Sequence, residues 1–168
     1  PSRRGAERAL CGKDVLEDHI GKFAVSLACD PSGGVWIGTE DNGLFRCVKE
    51  PAGSFRCTQF TTRDGLGDDT VCALAVDRQS RVWAGHARGG VSVFDGRSWK
   101  SYGPLDGPLA IRIFDIAIDP RRGDVWIASS AGLSRYSPGR DAWDDFTRAD
   151  GLPSNQVQCL AVGDDSVV

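Results

Sequence analysis

Three tryptophans recur inside nearly the same short word, and that recurrence limits what the chain can fold into more than any other feature. Trp36, Trp83 and Trp126 lie in Gly33-Gly34-Val35-Trp36-Ile37-Gly38-Thr39, Arg81-Val82-Trp83-Ala84-Gly85 and Asp124-Val125-Trp126-Ile127-Ala128, 47 and 43 residues apart. Nine or ten residues before each stands a second apolar word: Leu27-Ala28-Cys29-Asp30, Leu74-Ala75-Val76-Asp77 and Ile116-Ala117-Ile118-Asp119. A period of roughly 40 to 50 residues carrying short apolar runs marks the blades of a β-propeller. A fourth copy of the second word, Leu160-Ala161-Val162-Gly163, would set its tryptophan one residue past Val168, so the chain reads as a piece of a longer repeat array.

The register inside the repeats resolves each into four antiparallel strands. Blade one is expected at 24–30, 34–39, 43–49 and 55–61, blade two at 71–77, 81–86, 90–95 and 98–103, and blade three at 113–119, 124–129, 132–137 and 142–147. Leu10 and Asp14 have the spacing of Phe60 and Asp64, which makes residues 6–11 an expected last strand of a preceding blade. The fold expected is all-β: a β-propeller with three complete four-stranded blades plus partial flanking blades, a fragment of a larger ring. Its units are 1–19 (end of a preceding blade and linker), 20–62, 63–104 and 105–148 (blades one to three) and 149–168 (start of the next blade). Three blades cannot close a ring, since the smallest common propeller has about four, so the remaining blades must come from the same or another chain.

First strands that are apolar on both faces, with small and large residues alternating as in Ala73, Leu74, Ala75 and Val76, suit the narrow inner end of a wedge-shaped blade. Trp36, Trp83 and Trp126 are assigned to the structural core, filling the gap between neighbouring blades. Gly43, Gly90 and Gly132, each at a tight turn into the third strand, are expected to take positive φ or to meet backbone closely.

Little here points to chemistry. There are 2 histidines, His19 and His86, and no phosphate loop, nucleophile elbow or Cys-x-x-Cys pair, so neither a cofactor nor a metal is expected. The recurring Asp30, Asp77 and Asp119 read as turn residues accepting backbone N–H bonds. A net charge of -3 excludes a general nucleic-acid binder, and no apolar run is long enough to span a bilayer, so no membrane contact is expected of this segment. The start at Pro1, without a charged and apolar leader, reads as a trimmed end and says nothing of the compartment. Cys29, Cys72 and Cys159 read as buried apolar residues of inner strands. Cys47 and Cys57 face each other across an antiparallel pair, where Cβ atoms come within disulfide reach; a bridge and a pair of free thiols both stay open.

Gly65-Leu66, Val71, Leu74-Ala75 and Asp77, with Val35-Trp36-Ile37-Gly38-Thr39, Gly43-Leu44 and Gly151-Leu152-Pro153-Ser154-Asn155-Gln156-Val157, resemble the two-component regulator propeller repeat. The resemblance covers about 20–168, with His86 and Ser129 departing from the threonine of the motif. It implies a non-catalytic, ligand-sensing propeller, the periplasmic or extracellular input domain of a bacterial two-component signalling receptor. Propeller topology puts the second-to-third turns and the links between blades on one face, where Arg63, His86, Arg88, Asp106 and Arg148 are the candidate ligand-binding residues. Their mixture of donors and acceptors suits a small polar ligand such as an oligosaccharide. Two alternatives are a propeller lyase or hydrolase, with His86 and Asp106 or Arg148 as its acid and base, and a structural subunit that docks partners. The opposite face, with Lys49, Arg78, Arg81, Arg97, Arg121, Arg122 and Arg140, leans basic.

Overall fold

The computed structural model of the chain describes residues 10, 11 and 24–163. Among these residues thirteen strands form three antiparallel sheets. Blade one contains β2 (Ala24–Cys29), β3 (Val35–Thr39), β4 (Leu44–Lys49) and β5 (Phe55–Phe60), with β1 (Leu10–Cys11) as a fifth strand. Blade two contains β6 (Val71–Val76), β7 (Val82–His86), β8 (Val91–Phe94) and β9 (Trp99–Tyr102). Blade three contains β10 (Ile113–Ile118), β11 (Val125–Ser129), β12 (Leu133–Ser137) and β13 (Ala142–Phe146). Among the described residues the only helical segments are 3₁₀ turns at Thr62–Asp64 and Arg148–Asp150, and no helix is long and apolar enough to cross a membrane.

One strand departs from the expectation. Leu10–Cys11, read as the end of a preceding blade, pairs antiparallel with β5 instead, Leu10 opposite Cys57 and Cys11 opposite Arg56. It satisfies the outer edge of blade one, an edge that would otherwise present unpaired backbone groups. The rest of the expected 6–11 strand lies outside the described residues.

The tryptophans hold equivalent register positions: Trp36 opposite Ala28, Trp83 opposite Ala75 and Trp126 opposite Ala117. Each of the first two reaches into the following blade. Trp36 packs on Phe94 and Trp99 of blade two with ring centroids 5.9 and 6.4 Å away, and Trp83 packs on Tyr136 and Trp143 of blade three at 5.2 and 6.4 Å. They are 2% and 1% exposed. Burying a side chain this large contributes about 3 kcal/mol, so the tryptophans are what hold blade to blade. Trp126 stacks only on Phe146 of its own blade and stays half-buried, because no following blade covers it among the described residues.

The reading of the inner-strand cysteines is corrected as well. Cys29 and Cys159 are exposed and Cys72 half-buried, where all three were expected in the core. On β2, Val25 and Leu27 are exposed as well, so the whole outward face of that strand lacks a neighbour among the described residues. Cys47 and Cys57 are directly opposed across β4 and β5, with Cα atoms 4.0 Å apart, and form a disulfide buried beside Phe45. Gly43, Gly90 and Gly132 take φ of 74°, 69° and 147°, and a Cβ at each would collide with the carbonyl oxygen of Phe60, Tyr102 or Phe146. Both halves of the glycine expectation hold at these turns.

Candidate functional site

The face formed by the inter-blade links is knitted together by backbone hydrogen bonds, which fixes where its side chains can stand. Gly43 N donates to Asp69 O (2.8 Å) and Ala87 N to Thr70 O (3.3 Å), so the link after blade one is tied to the second-to-third turns of blades one and two. Gly90 N donates to Ile111 O (2.9 Å) and Ser130 N to Arg112 O (3.2 Å), repeating the pattern one blade on. Loops pinned in this way to a rigid scaffold are where recognition side chains are normally carried.

Two of the links begin with the same device. Thr61 caps the turn Thr62–Asp64: its N–H donates to Asp64 Oδ2 (2.8 Å), its Oγ1 accepts from Arg63 N (3.3 Å), and Gly65 closes the turn at φ 108°. Thr147, Asp150 and Gly151 reproduce it, and Thr62 N to Asp69 Oδ1 matches Arg148 N to Asn155 Oδ1, both 2.7 Å. This reciprocal cap is a capping box, and it presents Arg63 and Arg148 to solvent.

Of the five candidate residues, Arg63 stands in a cleft. Arg63 lines a hollow of about 290 Å³ with Asp41, Asn42, Gln59, Thr61, Thr62 and Asp69. Its guanidinium has no partner among the described residues, while Gln59 Nε2 donates to Asn42 O at 2.9 Å and steadies the wall. Arg88 and Arg148 are exposed on their own turns. Asp106 is exposed and spends one oxygen on Gly103 N (2.9 Å), so its first task is to hold its own loop. None of the described clefts joins these residues to one another.

His86 is not on the surface at all. It is 0% exposed at the end of β7, and its Nε2 lies 2.8 Å from Ser92 Oγ. The register explains the burial. Thr39 and Ser129 occupy the corresponding ends of β3 and β11, where their hydroxyls donate to Gly43 O and Gly132 O and close the turn. The imidazole of blade two fills that internal position and cannot meet a ligand. Burial pushes its pKa below the ordinary value, although Thr70, Asp68 and Asp69 pull the other way. The acid and base set His86 with Asp106 or Arg148 is therefore not assembled.

Sequence reasoning missed the hydroxyls under this face. Ser92 Oγ accepts from Gly67 N (3.0 Å) and lies 2.9 Å from Ser101 Oγ, which donates to Gly65 O (3.1 Å). In blade three Ser134 Oγ accepts from Leu109 N (3.2 Å) and donates to Asp145 Oδ1 (2.6 Å). A serine in the middle of the third strand, where blade one has Phe45, was the available signal. Nearer the inner strands Cys72 is raised in pKa by burial, with Arg112 opposing and Asp68 and Glu40 adding to the shift. Among the described residues no group of three His, Cys, Asp or Glu could hold a metal ion.

The opposite face repeats a different constellation. Asp30 accepts from Ser32 N, Gly34 N, Trp36 Nε1 (3.1 Å) and Arg46 Nε (2.8 Å), and Asp77 from Gln79 N, Arg81 N, Arg81 Nε (2.6 Å) and Trp83 Nε1 (3.0 Å). Burial pushes the Asp30 carboxyl up, but the bonds from Ser32, Gly34 and Arg46 more than offset it and hold it far below the usual carboxylate range. Asp30 and Asp77 are turn residues, as expected, and also orient Trp36 and Trp83.

No protein-family model matches the chain, and no curated protein does. Solved structures do. The extracellular domain of a protein named as a hybrid two component system, BT3049 from B. thetaiotaomicron, superposes with TM-score 0.74 at 18% identity over 89% of this chain. The extracellular domain of a protein named as a one component system, BT4673 from the same organism, gives 0.71 at 16% over 88%. Virginiamycin B lyase from Staphylococcus aureus gives 0.61 at 15% over 94%. The chain is a stretch of β-propeller. It spans 20%, 21% and 50% of those three chains, so the propeller blades described above correspond to part of each.

Proposed function

We propose that this propeller stretch belongs to a non-catalytic sensor, the extracytoplasmic input domain of a two-component signalling receptor, and that its link face recognises a small polar ligand such as an oligosaccharide. The observation that carries the reading is the cleft at Arg63. A free guanidinium, carboxylates of Asp41 and Asp69, amides of Asn42 and Gln59 and the hydroxyls of Thr61 and Thr62 meet in one open hollow, and a polyol needs that mixture of donors and acceptors. The likeness to extracellular domains of signalling proteins supports the sensor role, and the buried Cys47–Cys57 disulfide suits a periplasmic or extracellular setting, since such bonds persist in oxidising compartments. The partners are then the ligand and the remaining blades, which complete the ring from the same or another chain, with neither nucleic acid nor membrane contacting this segment.

Calorimetric titration of the full-length protein against a panel of glycans and small acids tests the reading. Arg63→Ala should weaken binding by about 1 to 3 kcal/mol, the worth of a charged hydrogen bond, with the melting temperature unchanged because Arg63 is exposed. A ligand that binds Arg63→Ala as tightly as the parent protein removes this cleft from the site.

A further inference from the structure

A second cleft lies on the opposite face, between blades one and two, and it is complete within this chain. It encloses about 340 Å³ and is lined by Asp30, Ser32, Trp36, Arg46, Thr58 and Phe60 from blade one and by Ser80, Val82 and Phe94 from blade two. Its wall is aromatic: Phe60 and Phe94 have ring centroids 5.4 Å apart, and Trp36 lies 5.6 and 5.9 Å from them.

The corresponding gap between blades two and three carries an arginine across it. There Arg81 lies over both Trp83 (5.4 Å) and Tyr136 (5.8 Å), bridging the blades. Blade one has Gly34 at the position of Arg81 in the turn, and its arginine comes instead from β4: Arg46 sits over Trp36 alone, at 5.7 Å. The exchange leaves Phe60 and Phe94 half-buried, backed by Trp99 at 5.7 and 5.0 Å but with no arginine across them.

The rim has one cationic donor group and two hydroxyls to offer, while its carboxylate is already engaged. Both carboxylate oxygens of Asp30 are engaged by Ser32, Gly34, Trp36 and Arg46. Arg46 spends Nε and Nη2 on Asp30 and Ser32, and its Nη1 has no partner among the described residues; nor have the hydroxyls of Thr58 and Ser80. Ser80 adds an independent sign. It takes φ of 60° at the turn position where blades one and three place Gly33 (86°) and Gly123 (75°). A left-handed conformation costs a non-glycine residue about 1 kcal/mol, and such strain persists where a side chain is put to use. The strained serine is the one that lines the cleft.

We propose that this inter-blade cleft binds a one-ring aromatic carboxylate, the ring against Phe60 and Phe94 and the carboxylate against Arg46 Nη1 and the hydroxyls of Thr58 and Ser80. An aromatic ring gains from tilted packing on such a wall, and an acceptor-only head group matches a rim that has donors to give. The assignment is independent of the reading of the link-face hollow.

Titration of the full-length protein with 4-hydroxybenzoate, read by calorimetry and tryptophan fluorescence, tests the proposal. Saturable binding is expected below about 1 mM. Arg46→Gln should weaken it by about tenfold or more and Ser80→Gly by about fivefold, while Arg63→Ala leaves it unchanged. Ser80→Gly also relieves the turn, so its melting temperature should not fall, and weakened binding in that variant cannot be blamed on unfolding. Absence of saturation at about 10 mM, affinity unmoved by both Arg46→Gln and Ser80→Gly, or a crystal structure placing the carboxylate elsewhere would each overturn it.

Discussion

The indole Nε1 of Trp83 donates to Oδ2 of Asp77 at 3.0 Å, so the residue that turns the first hairpin of the blade also aims the side chain that locks it to the next one. Trp126 lacks that bond. The turn of blade three is one residue longer, the Asp119 carboxylate accepts from Arg121 N and Arg122 N, and the indole N–H of Trp126 is buried without a partner among the described residues. Asp77→Ala should therefore cost about 3 kcal/mol, because it strands the half-buried Arg81 charge and orphans two backbone N–H groups and an indole. Asp119→Ala should cost only about 1 kcal/mol. Urea midpoints of the two variants, measured on the full-length protein, check the contrast; equal losses would mean that the aspartate–tryptophan bond carries no weight.

Gly90 and Gly96 both have positive φ, at 69° and 94°, yet they should respond differently to alanine. A Cβ at Gly90 runs into the Tyr102 carbonyl, which belongs to the strand that the turn must abut, whereas a Cβ at Gly96 meets nothing within 4 Å. Gly96→Ala should cost about 1 kcal/mol, the left-handed penalty alone. Gly90→Ala should cost about 3 kcal/mol, since backbone on both sides has to shift. Thermal melts of the pair separate dihedral strain from steric collision.

Cys47 and Cys57 close a loop with a sequence separation of 10 inside blade one. Chain-entropy arithmetic gives such a loop about 2.5 kcal/mol. Both residues are nearly fully buried, at 2% and 1% exposed, so mild reductant should leave the native protein bridged and reach the bond only once the blade opens. Non-reducing mass analysis should show two fewer thiols than the reduced chain, and Cys47→Ala with Cys57→Ala should lower stability by about 2.5 kcal/mol or somewhat more, the excess being lost packing against Phe45.

The strands were legible because two short words repeat, and a repeat fixes register as well as type: every second strand begins at or one residue after the expected place. The opposed pair Cys47 and Cys57 followed from the same register, and so did the conformation of Gly43, Gly90 and Gly132. What the repeat could not reveal was which face of a strand end points inward. His86 reads as a turn residue by its polarity and its distance from Gly90, but the pleat buries it, as it buries Thr39 and Ser129. A periodicity argument also treats all copies as equally covered, and therefore placed Trp126, Cys29 and Cys159 in a core that has no neighbour there among the described residues. The candidate ligand residues shared a face in topology without sharing any of the described clefts, because they stand on the links and turns of different blades and His86 points inward.

The burial of His86 gives the propeller an acid-sensitive point. Burial lowers its folded pKa below the ordinary 6.5, against the pull of Thr70, Asp68 and Asp69, so as pH falls through 6.5 the unfolded chain takes up the proton before the folded one does. Stability should be full above about pH 6.5 and should decline below it, down to the folded pKa. A separate loss begins near pH 3.8, where Asp30 is protonated in the unfolded chain but still charged in the folded one. His86→Thr installs the residue that blade one carries at this position, which can close the turn as Thr39 does through Gly43 O. The variant should start less stable at pH 7 by about 1 to 2 kcal/mol, from the smaller side chain in a packed site, yet its urea midpoint should stay level between pH 7 and pH 5 while that of the parent falls. If the parent midpoint is equally level over that window, the imidazole is charged or hydrated in the folded protein and the internal role assigned to it is wrong.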